Sequence, residues 1–135
     1  MPLINWEPRF ATGVTLIDEQ HKRLIGFINE LQDALSKAKG KEVLSKILTG
    51  LGDYTVSHFG TEQGLMQKHQ YPEYIAHKAI HDDLVAKVVD LTKKYQAGNM
   101  FLSTEVMTFL QNWLTDHIMN TDKKFGAFLN SKGVK

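Results

Sequence analysis

The sequence contains no cysteine. Disulfide scaffolds, thiolate zinc sites, iron–sulfur clusters and cysteine catalysis are therefore excluded, and any metal must be held by imidazole and carboxylate. Proline is scarce: the three residues, at positions 2, 8 and 72, interrupt no helical pattern. No run approaches the roughly eighteen uninterrupted apolar residues of a membrane span. The first ten residues, MPLINWEPRF, lack a basic start followed by a long apolar stretch, so no signal peptide is expected and the expected location is cytoplasmic. Net charge is nearly absent as well. Sixteen basic residues against fifteen acidic ones give +1, which provides no footprint for nucleic acid or an anionic membrane. What the chain does have is histidine, six in 135 residues. The rest of the composition is that of an ordinary globular domain, expected to span residues 1–135 and to be a monomer.

The apolar pattern is helical, and strand-like alternation is missing. Residues 1–14, with Pro8 and Gly13, read as an irregular arm carrying Trp6 and Phe10. Four helices follow, at approximately 16–39, 41–69, 72–97 and 103–130. Thr15 and Asp18 resemble a capping box at the first start, and Gly40 suits the first C-cap. Pro72 suits the first position of the third helix, Gly98 its end, and Ser103 or Thr104 the start of the fourth. Four glycines in the second helix, Gly50, Gly52, Gly60 and Gly64, cost helix propensity and permit close approach of neighbours. Short connections make neighbouring helices antiparallel, so the expected fold is all-α, an up-down-up-down four-helix bundle.

Five of the six histidines fall on the inner stripes of these helices: His21, His58, His77, His81 and His117. Glu62 lies one turn after His58, and His81 one turn after His77, so each pair shares a face. Asp122 follows His117 by five. In an antiparallel bundle all seven converge towards one end of the core. Burying that many unpaired groups costs several kcal/mol per ion, in a domain stable by only about 5–15 kcal/mol. A cation supplies the missing partner. Seven ligands exceed one octahedral shell, whereas two ions bridged by the carboxylates use them all. Imidazole with carboxylate suits iron or manganese at higher coordination, although affinity alone favours copper or zinc. No Glu-x-x-His occurs, which disfavours ferritin-like di-iron sites. Five residues overshoot a helical turn by about 140°, so a π-bulge, kink or break is expected between His117 and Asp122. His69 falls beyond the cluster, at the end of the second helix, where it is expected to be partly exposed.

The order His21, His58-Phe59-Gly60-Thr61-Glu62, His77-Lys78-Ala79-Ile80-His81 and His117-Ile118-Met119-Asn120-Thr121-Asp122 resembles the hemerythrin family. The stretch from Gly13 to His21 is similar to the opening segment of its single-domain bacterial members. The resemblance implies two non-haem irons. His77, His81 and His117 would hold one and His21 and His58 the other, with Glu62, Asp122 and an oxo or hydroxo group bridging them. The two-histidine iron would then carry the open position at which dioxygen binds. The resemblance also places Phe59, Trp113 and Leu114 around that pocket, and proximity adds Ile118. The implied function is reversible dioxygen binding for storage, transport or delivery to an oxygen-consuming client enzyme, without catalysis. The alternatives are oxygen or redox sensing with a separate partner, and di-iron peroxidase or nitric oxide chemistry.

Overall fold

The computed structural model describes residues 4–98 and 104–135. A short 3-10 turn, Pro8–Phe10, is followed by α1 (Thr15–Ser36), α2 (Lys41–Lys68), α3 (Tyr74–Gln96) and α4 (Thr104–Asp116). A π-helical segment, His117–Asp122, then leads into α5 (Lys123–Ser131). The backbone stays right-handed helical at both junctions, Asp116 and Lys123, so α4, the π segment and α5 form one rod. The fold is an all-α, antiparallel four-helix bundle in which α2 packs against α1 and α3, and α1 against α4. The expected fourth-helix start at Ser103 lies outside the described residues.

The ends of the helices differ from the sequence expectation in three places. Asp18 does not box with Thr15. Its Oδ1 instead accepts from the Thr12 amide at 2.8 Å and the Thr12 hydroxyl at 2.8 Å, tying the arm to the first turn of α1. Gly40 does not cap α1 either. The helix closes with Ala38 in the left-handed region (φ 53°) and the Lys39 amide donating to the Ala34 carbonyl. Gly40 is the extended residue ahead of α2. Pro72 stands before α3 rather than in its first turn. The Tyr74 amide reaches the Tyr71 carbonyl at 3.1 Å, and proline's fixed φ suits the second position of that β-turn. Gly98, with φ 79°, ends α3.

Most buried apolar side chains collect in two bodies with the histidine layer between them, and a small third group, Phe59, Leu84 and Val88, packs beside His81. The larger includes Leu24, Ile28, Leu31, Leu48, Leu51, Leu110, Leu114 and Ile118. The smaller, at the opposite side of that layer, joins Val14, Ile17, Met66, Tyr71, Phe125 and Leu129. Each fully buried side chain of this size contributes roughly 1.5–3 kcal/mol. The arm belongs to the fold. Asn29 receives the Ile4 amide at 2.9 Å and donates to its carbonyl at 2.7 Å, standing in for a backbone partner.

Gly126 sets how closely the arm approaches α5. A Cβ there would lie 2.2 Å from the Thr12 carbonyl oxygen, a backbone atom that cannot rotate away. Gly64 contrasts with it: a Cβ added in α2 meets nothing within 4 Å. Neighbouring backbone does not come close at the α2 glycines as expected: an added Cβ would meet the Phe27 ring at 3.0 Å at Gly50, the Val88 side chain at 3.6 Å at Gly52, and nothing within 4 Å at Gly60 or Gly64. Gly126→Ala is expected to destabilise the protein by about 1–3 kcal/mol through overpacking. Gly64→Ala is expected to stabilise it by up to about 1 kcal/mol through helix propensity. Denaturant titration of the two variants checks both signs, and equal effects would contradict the packing described.

Candidate metal centre

Each rod delivers its polar residues to one level. His21 sits in the second turn of α1, His58 and Glu62 in the later half of α2, and His77 and His81 in the first turns of α3. His117 and Asp122 open and close the π segment. All seven are buried, and His21, Glu62 and Asp122 are 0% exposed. His69 lies apart, half-buried, as the residue that ends α2.

The π segment explains how Asp122 shares a face with a residue five positions earlier. The Lys123 amide bonds to the Ile118 carbonyl, an i→i−5 bond that widens the turn by one residue. His117 Nε2 consequently lies 3.1 Å from Asp122 Oδ1. The structure thus has the irregularity that the spacing demands.

The ligand atoms form two quartets around one shared carboxylate. His77, His81, His117 and Asp122 offer atoms within 4.8 Å of one another, and so do His21, His58, Glu62 and Asp122. Asp122 Oδ2 is 2.8 Å from His21 Nε2, while Oδ1 is 3.1 Å from His77 Nε2. Glu62 Oε1 is 2.7 Å from His58 Nε2 and 3.9 Å from His81 Nε2, so it too faces histidines of both quartets. His81 Nε2 and His117 Nε2 approach to 3.2 Å.

Of these contacts only His77 with Asp122 and His81 with His117 have the geometry of a hydrogen bond. His21 Nε2, His58 Nε2, Glu62 Oε1, Glu62 Oε2 and Asp122 Oδ2 have no hydrogen-bond partner, because the short contacts are misaligned. The remaining unpartnered atoms, His21 Nδ1 and His77 Nδ1, belong to the same cluster. Among the described residues, every fully buried side-chain nitrogen or oxygen without a partner therefore lies on these seven side chains. Each such atom costs about 1–3 kcal/mol. The donor set and its orphaned atoms fit a pair of cations held by imidazole and carboxylate.

Proton affinities follow from burial and neighbours. Burial pushes His58 down to about 4 and, with the cationic forms of His117 and His77, pushes His81 down to about 2. Both are neutral imidazoles at neutral pH, the form that binds metal. Burial lowers His117 too, but the Asp122 carboxylate outweighs it and the net shift is upward. The carboxyls form a coupled pair with opposite fates. Burial and the charge of Asp122 hold Glu62 well above the usual range. Burial also acts to raise Asp122, yet the charge of His117 and the imidazoles of His117, His21 and His77 set against its two oxygens hold it well below. One carboxyl keeps its proton so that the other can be ionised.

Two residues that the sequence reading did not single out complete the layer. Gln20 Oε1 lies 2.6 Å from His58 Nδ1, and Gln63 Oε1 3.0 Å from His81 Nδ1. Their only sequence signal is adjacency to His21 and Glu62.

The four apolar residues expected around a pocket are all near the histidines. Phe59 stacks on His81, with ring centroids 3.7 Å apart, and Trp113 stacks on His117 at 5.2 Å. Leu114 and Ile118 are buried in the larger apolar body. Leu114 and Trp113 also wall a cavity of about 10 Å³ together with Leu24, Thr55 and Leu84. Leu24, Thr55, Leu84 and Leu114 each stand three residues from a histidine of the cluster, so this space lies one turn from the ligands. Phe59 and Ile118 do not line it. Among the described residues, no helix is long and apolar enough to cross a membrane.

Comparison with known proteins agrees with this arrangement. Residues 12–129 match the model of the hemerythrin HHE cation binding domain. A bacteriohemerythrin of Methylococcus capsulatus is 38% identical over 132 residues, covering 97% of this chain and 100% of the relative. A bacteriohemerythrin of Stenotrophomonas maltophilia is 34% identical, covering 93% and 80%. The crystal structure of a wild-type hemerythrin superposes with a TM-score of 0.86 at 38% identity, covering 93% of this chain and 96% of that one. A leucine-to-alanine hemerythrin variant superposes at 0.87, covering 94% and 97%. With the domain match spanning nearly the whole bundle and relatives alike from end to end, the chain belongs to the hemerythrin family.

Proposed function

We propose that the protein binds dioxygen reversibly at a pair of non-haem irons and acts as a carrier or store rather than an enzyme. The carrying observation is the unequal division of imidazoles around a shared carboxylate: three with Asp122 in one quartet, two with Asp122 and Glu62 in the other. In this reading His77, His81 and His117 hold one iron, and His21 and His58 hold the second. Glu62 and Asp122 would serve both. A position supplied with fewer imidazoles is the one left open to a small ligand. Bound iron supplies the electrons with which dioxygen is taken up and released.

The chain's own residues supply the rest. The neutral imidazoles of His58 and His81 present lone pairs without first losing a proton. Glu62 must release its proton to become a bridging carboxylate, so metal uptake and proton release are linked. Phe59, Trp113, Leu114 and Ile118 surround the histidines with hydrocarbon and exclude water, which favours release of the ligand unchanged over its loss as a reduced product. The apolar cavity beside Leu114 offers a nonpolar diatomic a place that water, with only the Thr55 hydroxyl and the Trp113 indole as polar side chains in its lining, has little reason to fill. The relatives named bacteriohemerythrin support the same reading.

Anaerobically reduced, iron-loaded protein should carry two irons per chain. It should show an absorption band that appears in air and disappears when oxygen is removed, through repeated cycles. Fewer than two irons, or no oxygen-dependent band, counts against the proposal. Leu114→Ala should open the hydrocarbon wall and accelerate autoxidation, followed as irreversible decay of the oxygenated spectrum; an unchanged rate removes Leu114 from that role.

Glu62→Gln separates stability from binding. The folded state holds the Glu62 proton more tightly than the unfolded chain does. The metal-free protein therefore loses stability as pH rises above the ordinary carboxylate range towards the raised value. The glutamine variant escapes that loss. Metal-free E62Q should be more stable than the parent by about 1–3 kcal/mol at pH 8, with a smaller gap at pH 5, and should fail to retain two metals. Denaturant titration at both pH values and metal analysis check the two halves.

A further inference from the structure

We propose that Gln20 and Gln63 are positioning residues, one for each metal, that fix a histidine on the next helix in the tautomer and direction needed for ligation. The inference rests on the metal reading of the site and assigns the two glutamines separate jobs within it.

An amide oxygen can only accept, so a contact of 2.6 Å from Gln20 Oε1 to His58 Nδ1 places the ring proton on Nδ1. The lone pair is then left on Nε2, the atom that faces Glu62 at 2.7 Å. Gln63 Oε1 does the same for His81 at 3.0 Å, leaving its Nε2 to face His117 and Glu62. The orientation of the Gln20 amide is itself anchored. Its nitrogen donates to the Thr61 hydroxyl at 3.4 Å, and that hydroxyl donates to the Ser57 carbonyl at 3.2 Å.

The braces run in one direction along the bundle. Gln20 neighbours the ligand His21 on α1 and reaches across to α2. Gln63 neighbours the ligand Glu62 on α2 and reaches across to α3. Successive helical residues diverge by about 100°, so one residue can aim at the centre while the next meets the adjoining helix. His58 belongs to the two-imidazole quartet and His81 to the three-imidazole quartet, which makes the braces separable. Both acceptors are neutral, so they orient the rings without adding a third negative charge to a buried layer that already holds two carboxyls. His21 Nδ1 and His77 Nδ1 have no such partner.

The test uses the full chain and Co²⁺ as the probe. Gln20→Leu should weaken one of the two binding steps about 10–100-fold and leave the other near the parent value, as loss of an outer partner typically does. Gln63→Leu should weaken the other step. Gln20→Glu and Gln63→Glu, which still accept from Nδ1–H, should restore binding. In the Co²⁺-loaded parent, the paramagnetically shifted Nδ1–H protons of His58 and His81 should exchange slowly with solvent, and each leucine variant should remove one such signal. Leucine variants that bind both metals as the parent does would overturn the proposal while leaving the metal reading intact. A parent that takes up no metal pair would overturn both. Should a leucine variant fail to fold, nitrogen NMR of the metal-free parent decides: Nδ1–H tautomers at His58 and His81 support the proposal, and Nε2–H tautomers overturn it.

Discussion

Seven side chains that would be better solvated in water are held in a layer without it, and the rest of the molecule is arranged around that fact. The two apolar bodies lie on either side of the layer and together exclude solvent from it. Their burial must stabilise the fold enough to tolerate the unpartnered atoms of His21, His58, Glu62, His77 and Asp122. The turn at Tyr71–Tyr74 has the same purpose at the level of the chain. By reversing direction within a few residues it keeps His77 and His81 level with His58 and Glu62 on the preceding helix.

Without a cation the layer neutralises itself unevenly. Asp122 has three imidazoles against it and stays ionised; Glu62, raised by burial and by the Asp122 charge, keeps its proton. The asymmetry comes from position. Asp122 lies among His21, His77 and His117, whereas Glu62 faces His58, whose Nδ1 proton is committed to Gln20 and whose Nε2 is a lone pair. Two carboxyls in one buried site thus differ in charge because their neighbours differ in what they can donate.

The bundle and the convergence of the ligands were legible because both depend on periodicity. Ligands at four-residue spacing, such as His58 with Glu62, declare a shared face whatever the neighbouring helix does. The helix ends were less legible. Thr15 and Asp18 have the spacing of a capping box, but the carboxylate is taken by Thr12, a tertiary choice made when the arm folds back. Gly40 has the residue type of a cap, yet the chain turns two residues earlier, at Ala38. Gln20 and Gln63 were invisible as participants because an amide reveals its role only once the histidine on the next helix is in place. Side-chain orientation was not legible either: Trp113 and Leu114 wall a small cavity while Phe59 lies flat on His81, which no linear spacing reports.

The π segment between His117 and Asp122 also acts as a phase adjuster. A rod that stayed α-helical from Thr104 to Ser131 would fix the inward faces of its two halves relative to one another, so that repacking Leu110 and Leu114 would rotate Phe125 and Leu129 as well. One extra residue absorbed in a single wide turn resets that offset by about 100°. The half of the rod in the larger apolar body and the half under the smaller one can thus both face inward. His117 and Asp122, at the join, still report to the same centre. The rod is thereby continuous in its hydrogen bonding yet stepped in phase where it crosses the histidine layer.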